Sequence, residues 1–362
     1  MEEDGNDDRS DRFPVKKRIL ICESTVPFVS GGAELLVQGL ARAIGEAGHD
    51  VDVLSIPYQW DPPERIVKSC LIWRLLDLQS PAGEVDLVIA TKFPTYAIEH
   101  PNKVAWVFHQ HRSVYDLKDT IYDDLAGRDD ADDYRKTISD MDRRFLSECR
   151  ALFAISENVA KRLRQNCAME SEAVYHPPPL DGRYYSDDYG DDILLVGRLE
   201  PLKRVDLAIR AMKYVKRSGA MLRVLGRGFL EEPLKNLAAA EGVTDRVRFD
   251  GFVPDEELLG LYSRAGCVVY VPFDEDYGYS PLEAFKSRRP VVVTDDSGGP
   301  LEFVADGESG LVVPARPEDL ANAIDCLLAD RKKARKFGAS GFDRVEGITW
   351  QAAIDRLVNP HL

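Results

Sequence analysis

Two glutamates, Glu275 and Glu283, stand eight residues apart with Gly278 between them. The apolar run at residues 267–271 predicts a buried strand before them, and residues 281–286 predict a helix with a proline in its first turn. Backbone N–H groups at a helix start attract phosphate, and carboxylates accept hydrogen bonds from hydroxyls. The pattern therefore predicts a site for a ligand that carries both groups, such as a sugar nucleotide.

Cations and glycines follow other predicted strands. Arg198 and Lys203 come after the first strand of the second half, where a guanidinium fork and an ammonium point charge suit a diphosphate. Arg227 lies in a glycine turn after the next strand. Gly31 and Gly32 follow the first strand of the chain and would let the backbone approach a ligand closely. The alternative for each feature is an ordinary turn or a solvated surface charge.

Two histidines, His109 and His111, follow an apolar strand predicted over residues 104–108. Parallel sheets bind ligands beyond the carboxyl ends of their strands, so this is a position for a site residue. His109 ends the strand and is the first candidate, and His111 is the second. A structural hydrogen-bonding role is the alternative. The His-x-His pattern could also bind a metal, but the sequence offers no obvious third ligand and no metal site is predicted.

Strands and helices alternate along both halves of the chain. The predicted strands are residues 18–22, 51–56, 86–90, 104–108, 151–155 and 173–175 in the first half and 192–196, 221–225, 247–252, 267–271, 290–293 and 311–313 in the second. This alternation predicts an α/β protein with two Rossmann-like, doubly wound parallel sheets that face a central cleft.

As a set, these motifs resemble the retaining GT-B glycosyltransferases of glycosyltransferase family 4. The resemblance is carried by Glu275-x7-Glu283, by Gly-Arg-Leu-x-Pro-x-Lys at residues 197–203 and by Gly-Gly-Ala-Glu at residues 31–34, and it spans roughly residues 15–357. It implies a GT-B fold and transfer of a hexose-like sugar from a nucleoside-diphosphate donor to an acceptor hydroxyl. The implied acceptor is a glycan, a lipid-linked sugar or a small molecule.

The resemblance also implies roles for single residues. Glu275 would contact the hydroxyls of the donor sugar, Glu283 would hold the ribose, and His109 would face the sugar as a second catalytic residue. The implied donor-binding residues are Gly32, Arg198, Lys203, Val253, Gly278, Tyr279, Ser280 and Glu283. It implies attack on the face of the leaving group, with neither a metal nor a cofactor. The family's usual Glu-Gly-Phe-Gly has an aspartate, Asp276, in place of its first glycine here.

The predicted division of the chain has five parts. An acidic tail without fixed structure covers residues 1–14, followed by an acceptor domain over 15–178 and a linker over 179–190. The donor domain covers 191–342, and residues 343–362 form a terminal helix that packs back on the first domain. The tail is predicted because residues 1–12 hold six acids, two arginines and almost nothing apolar.

Composition restricts the partners and the compartment. The net charge of −15 argues against a nucleic-acid partner, which favours a basic surface. Six cysteines without a C-x-x-C pair, no signal-peptide pattern and no apolar run long enough to span a membrane favour the cytoplasm. Residues 66–76 are apolar and predict a buried helix; a helix that docks on the inner face of the membrane is the alternative. The acid-rich residues 113–150 predict a solvated loop or lid near the acceptor.

Other functions stay open at this point. An epimerase or hydrolase of sugar nucleotides could use the same fold, and so could a binding protein without turnover. A dinucleotide-dependent oxidoreductase is disfavoured, because the first strand is not followed by G-x-G-x-x-G and the second ends in Ser55-Ile56-Pro57 rather than an acid.

Overall fold

The computed structural model describes residues 16–28, 31–79 and 83–361. Within these ranges the chain forms two six-stranded sheets whose strand pairs are all parallel. The predicted acidic tail, residues 1–14, lies outside them. Each strand predicted from the sequence is present, so the doubly wound α/β fold is confirmed.

The first sheet has the order β2-β1-β3-β4-β5-β6. Its strands are β1 (Arg18–Thr25), β2 (Asp50–Pro57), β3 (Leu87–Ala90), β4 (Lys103–Val107), β5 (Ala151–Ala154) and β6 (Glu172–Ala173). The helices of this first domain are α1 (Gly32–Glu46), α2 (Glu64–Arg74), α3 (Ala131–Ser147) and α4 (Glu157–Cys167). The strand order reverses between β1 and β3, which places a ligand-binding crevice beyond the carboxyl ends of these two strands.

The second sheet has the order β12-β11-β10-β7-β8-β9. Its strands are β7 (Ile193–Val196), β8 (Leu222–Leu225), β9 (Val247–Gly251), β10 (Cys267–Val269), β11 (Val291–Thr294) and β12 (Gly310–Val313). The helices of this second domain are α5 (Val205–Ala211), α6 (Glu231–Ala240), α7 (Asp255–Arg264), α8 (Tyr279–Lys286), α9 (Pro317–Ala329) and α10 (Arg331–Val345). Here the order reverses between β7 and β10.

The terminal helix α11 (Trp350–Leu357) packs on α1 of the first domain. The Trp350 indole lies so close to Gly39 that a side-chain carbon at position 39 would overlap its ring. The same indole stacks on the His176 imidazole, with ring centroids 6.0 Å apart. The chain thus crosses back to the first domain after α10. Residues 179–190, all of them described, contain no helix or strand.

Residues 131–147 correct the prediction of a solvated loop over 113–150. They form α3, whose buried side chains Ile138, Asp142 and Phe145 recur at helical spacing. The acids Asp132 and Asp133 lie in its first turn, where carboxylates stabilise the helix dipole. Most of the acids of this segment therefore lie on the solvent face or at the start of an amphipathic helix, and Asp142 is buried in its apolar face.

Helix α2 has two apolar faces with different environments. Ile66, Cys70 and Trp73 are buried against the first domain, as the buried-helix prediction requires. Leu71 and Ile72 on the other face are each 48% exposed, and Leu75, just past the helix end, is 81% exposed. In the described part of the chain, no helix has the length and apolar composition needed to cross a membrane.

Candidate functional site

The loops that follow the strands at the two switch points meet across the cleft. Gly32, after β1, lies against the ring of Tyr279 at the start of α8, where an added side-chain carbon would be 3.3 Å from it. Gly31 lies near Arg198, whose Nε would be 3.8 Å from a side-chain carbon at position 31. The glycine loop of the first domain therefore faces the phosphate-binding candidates of the second.

Lys203, Glu275 and Tyr270 form the centre of the second-domain site. The Lys203 ammonium group forms an ion pair with the Glu275 carboxylate. The Tyr270 hydroxyl donates a hydrogen bond of 3.2 Å to Glu275 Oε2 and accepts one of 3.4 Å from Lys203 Nζ. Burial opposes ionisation of Glu275, but Lys203 outweighs it and lowers the pKa of that carboxyl below its ordinary value. Glu275 is therefore a carboxylate that can accept hydrogen bonds.

Gly278 shapes the loop between the two motif glutamates. Its φ of 90° lies in the left-handed region that favours glycine, and a side chain there would overlap Tyr270. Helix α8 begins at the next residue, so the amides of Tyr279 and Ser280 belong to its first turn, where N–H groups have no partner within the helix. Ser280 Oγ donates to the Val196 carbonyl at 2.8 Å and ties this turn to β7.

Glu283, the second motif glutamate, is buried inside α8. It accepts hydrogen bonds from the hydroxyls of Tyr262, at 2.6 Å, and Tyr184, at 3.3 Å. Burial raises the pKa of Glu283 above its ordinary value, although both hydroxyls oppose the shift. A ribose bound at this carboxyl would share it with the two tyrosines.

The two candidate histidines have different surroundings. His109 Nδ1 lies 2.9 Å from the Gln110 carbonyl, and burial lowers the pKa of His109 although the nearby Asp276 carboxylate opposes the shift. His111 Nδ1 lies 3.3 Å from the Tyr58 hydroxyl, and its ring packs beside Phe93. Burial lowers the pKa of His111 to about 4. The structure thus brings His109 close to the Glu275 loop and places His111 in an aromatic cluster.

The remaining candidates line the second domain on one side of the switch point. Arg198 is half-exposed and pairs with Glu200 at 2.8 Å. Arg227, after β8, is exposed, and its Nε would lie 4.0 Å from a side-chain carbon on Gly251. Val253, two residues after β9, is partly buried. These residues follow the consecutive strands β7, β8 and β9, so they extend along the carboxyl ends of these strands, away from Lys203.

Sequence reasoning missed a group of charged contacts between the domains. Arg162 on α4 pairs with Asp276 and also with Asp274, the latter at 2.8 Å. Arg112, after β4, donates to the Asp274 carbonyl at 2.7 Å. Asn158 Nδ2 donates to Asp274 Oδ1 at 2.9 Å. Asp276 was visible in the sequence as a departure from the motif, whereas Arg162 lies within an ordinary helix and carried no signal.

A bound metal was not expected from the sequence. Across the described ranges, His, Cys, Asp and Glu side chains do not gather in groups of three or more that could hold a metal ion. The positively charged side chains at the candidate site include Lys203 and Arg198.

Comparison with known proteins agrees with this architecture. Residues 186–344 match the family model of the glycosyl transferases group 1. The chain is 34% identical over 180 residues to a D-inositol 3-phosphate glycosyltransferase of Nocardia farcinica, which covers 47% of this chain and 40% of that protein. The chain thus spans less than half the length of this relative. The second domain therefore carries a glycosyl transferases group 1 domain.

Two solved structures resemble the whole chain. A sucrose-phosphate synthase from Thermosynechococcus elongatus superimposes with a TM-score of 0.76 at 20% identity, over 94% of this chain and 97% of that one. The HepE protein of Anabaena, solved in complex with UDP and glucose, gives 0.68 at 16% identity, over 94% and 98%. At these identities the likeness establishes the fold, and it confirms the GT-B expectation.

Proposed function

We propose that this protein is a retaining glycosyltransferase of family 4 that transfers a sugar from a nucleoside-diphosphate donor to an acceptor hydroxyl. The observation that carries the proposal is the convergence at the switch point of the second sheet. There, Arg198 and Tyr279, the first residue of α8, lie against the Gly31-Gly32 loop of the first domain, and Lys203 pairs with the Glu275 carboxylate of the loop that leads into α8. The group 1 domain match over residues 186–344 supports the same activity.

The site offers complementary groups to each part of such a donor. Lys203, Arg198 and the first-turn amides of α8 suit the diphosphate, because cations and helix N-termini both favour negative charge. Glu275 suits the hydroxyls of the sugar, and Glu283 suits the ribose. Since the Anabaena protein of the same fold was solved with UDP and glucose, a UDP-sugar is the first donor to test.

The chemistry follows from where charge develops. As the glycosidic bond to the diphosphate breaks, negative charge grows on the leaving oxygen, and Lys203, Arg198 and the α8 amides are placed to stabilise it. His109, neutral because burial lowers its pKa, would face the sugar from the first domain. In the retaining mechanism that the family resemblance implies, the acceptor attacks on the same face and the diphosphate takes its proton. The donor is a co-substrate, and we propose that neither a metal nor a resident cofactor takes part.

The decisive experiment is a panel of nucleotide sugars tested by calorimetry and by slow donor hydrolysis. We expect one nucleoside diphosphate and the corresponding nucleotide sugar to bind. Hydrolysis of that nucleotide sugar should release the nucleoside diphosphate and a free sugar whose anomeric configuration is retained. Lys203→Met should weaken both signals by about ten-fold or more. Lys213→Met, at a half-exposed lysine paired with Glu241, should retain them. The proposal is contradicted if all nucleotide sugars bind with the same low affinity, or if the released sugar has the inverted anomeric configuration.

The acceptor and the location are part of the same proposal. We propose a cytoplasmic enzyme that acts on a glycan, a lipid-linked sugar or a small polyhydroxylated molecule and touches the membrane through α2. The exposed side chains Leu71, Ile72 and Leu75 support this contact, because they form one apolar ridge beside Lys68. Sedimentation with anionic vesicles tests it. Serine at these three positions should release the protein, whereas serine at the exposed Phe229 of the second domain should not.

A further inference from the structure

The three acids at residues 274–276 point alternately to the two domains. This short segment is a bend in which Asp274 has a left-handed φ of 44°. One isolated parallel bridge, between Glu275 and Gly298, holds it beside residues 296–299, and the Asp274 and Glu275 amides donate to the carbonyls of Asp296, at 2.8 Å, and Ser297, at 2.9 Å. The ion pairs give the directions of the side chains: Glu275 pairs with Lys203 of the second domain, while Asp274 and Asp276 pair with Arg162 of the first.

The first domain meets these two aspartates with buried or nearly buried cations. The Arg162 side chain is 9% exposed and the Asp276 side chain 16%. Arg112 Nε lies 3.9 Å from Asp276 Oδ1. Ser156 Oγ donates to the Asp276 carbonyl at 2.5 Å, and Asn158 donates to the Glu275 carbonyl at 3.1 Å. Both the side chains and the main chain of this segment are therefore held by groups from across the cleft.

We propose that Asp276 and Arg162 are positioning residues that close the cleft and thereby set the Glu275 carboxylate in its working position. This inference rests on the proposed glycosyl transfer. Because Glu275 directly precedes Asp276, and the first domain holds both the Glu275 carbonyl and the Asp276 carboxylate, fixing Asp276 also fixes the direction of the Glu275 side chain toward Lys203. The aspartate replaces a motif glycine, and a glycine at this position would leave Arg162 with Asp274 and, at 3.7 Å, Asp116.

The charges of the cluster agree with a permanent contact rather than a titrating one. Burial opposes ionisation of Asp276, but Arg112 and Arg162 outweigh it and lower the pKa of Asp276 to about 2. Burial likewise opposes the charge on Arg162, and Asp276 with its neighbouring carboxylates raises the pKa of the guanidinium. The pair therefore stays charged at neutral pH, and only domain opening would separate its members.

The first test compares Asp276→Asn, Arg162→Met and the double variant. We expect each single change to lower turnover of the bound UDP-sugar at saturation by about ten-fold or more, with the Kd for UDP within about two-fold of wild type, because UDP carries no sugar for Glu275 to hold. The double variant should turn over the donor no more slowly than the slower of the two single variants, because each single change already removes the interaction between Asp276 and Arg162. Glu172→Gln, which breaks the exposed ion pair with Arg356, is the control and should keep full turnover.

The second test does not depend on activity. The amides of Glu157 and Asn158 in the first domain donate to the Glu302 carboxylate of the second, at 2.9 and 2.8 Å. We expect hydrogen exchange at these amides to rise about ten-fold in Asp276→Asn and in Arg162→Met, but not in Glu172→Gln. Thermal melts check that each variant folds. If only one of the two single variants folds, the exchange measurement on that variant is sufficient for the test.

Three results would overturn the inference. The first is that the folded variants keep the turnover and the hydrogen exchange of the wild type. The second is that UDP affinity falls by as large a factor as turnover does. The third is that the losses of turnover in the two single variants add in the double variant. If the wild-type protein turns over no nucleotide sugar, the proposed function fails, while the exchange measurement still decides whether Asp276 and Arg162 hold the domains together.

Discussion

The ammonium group of Lys203 is paired with the carboxylate of Glu275, and the Tyr270 hydroxyl is within hydrogen-bonding distance of both. Lys203 comes from the turn after β7 and Glu275 from the loop after β10, the two strands between which the order of the second sheet reverses. The residue proposed to bind the diphosphate and the residue proposed to bind the sugar hydroxyls are therefore in direct contact. This pairing allows their two roles to be tested separately.

Lys203→Met should weaken UDP binding by roughly 1.5–3 kcal/mol, which is about a 10- to 150-fold increase in Kd, because a charge-assisted contact to phosphate is lost. Arg198→Met should have the smaller effect, since the Arg198 side chain is 50% exposed and water screens its charge. Calorimetry with UDP measures both, with Lys213→Met as the control. If neither variant changes the Kd, the diphosphate binds elsewhere.

Glu275→Gln and Glu283→Gln should affect different parts of the donor. Glu275→Gln should cut turnover and leave the Kd for UDP intact, because UDP lacks the transferred sugar that Glu275 is proposed to hold. Glu283→Gln should weaken UDP and the UDP-sugar alike, because both contain the ribose. Since Glu283 also accepts from the Tyr184 hydroxyl, Tyr184→Phe is a matched control for loss of that contact. Equal loss of UDP affinity in both glutamate variants would show that the two roles are not divided in this way.

The features that the sequence predicted correctly are local ones. Apolar, β-branched runs such as residues 291–294 indicate buried parallel strands, and the glycine and cation motifs follow those strands directly. Strand order is then restricted to few topologies by the alternation of elements. This is why the sequence predicted the fold and the position of Lys203, Glu275 and Gly278 just beyond the carboxyl ends of strands.

The features that it missed depend on long-range contact or on context. Arg162 and Asp276 are 114 positions apart, and an arginine on a polar helix face gives no hint of its partner. In α3 the acids masked a helical apolar stripe, and Asp142 sits inside that stripe as a fully buried carboxyl. Burial of a charged residue with its hydrogen-bond partners can be recognised only once those partners are placed around it.

Chelation should leave the reaction intact. Because Lys203, Arg198 and the α8 amides are assigned the stabilisation of the leaving diphosphate, activity in excess EDTA should equal that in buffer with Mg²⁺ within about two-fold. The assay is release of UDP from the accepted donor, with UDP binding measured under both conditions. Restoration of a lost activity by Mg²⁺ or Mn²⁺ would contradict this assignment of charges.

The packing of α11 on α1 should contribute measurably to stability. Trp350→Ala removes a partly buried indole that contacts Gly39 and His176, so we expect a loss of about 2–3 kcal/mol in the free energy of unfolding. Gly39→Ala should also destabilise the wild type, because the added carbon overlaps the indole, but should be nearly neutral in Trp350→Ala. Denaturant titration measures these changes, and the exposed neighbour Gln351→Ala is the control. If Gly39→Ala destabilises the wild type and the Trp350→Ala variant equally, the added carbon does not act through the Trp350 indole.

Asp142 should make stability depend on pH in the acid range. Burial raises the pKa of Asp142 to about 6, although hydrogen bonds from Tyr96, Tyr115 and Gln110 oppose the shift. The ordinary pKa of an aspartate is about 3.9, so between these two values the folded protein holds a proton that the unfolded chain has lost. The resulting stabilisation is complete below about pH 4 and disappears as the pH rises through about 6.

Asp142→Asn cannot titrate and should remove this dependence. The free energy of unfolding of the wild type minus that of the variant should therefore fall by roughly 3 kcal/mol at most between pH 4 and pH 7, since each pKa unit corresponds to about 1.4 kcal/mol. Contributions from buried histidines such as His176 are common to both proteins and cancel in this difference. Asp140→Asn, which removes an exposed carboxylate from the same helix, is the control. A flat difference for Asp142→Asn would show that the buried carboxyl titrates normally in the folded protein.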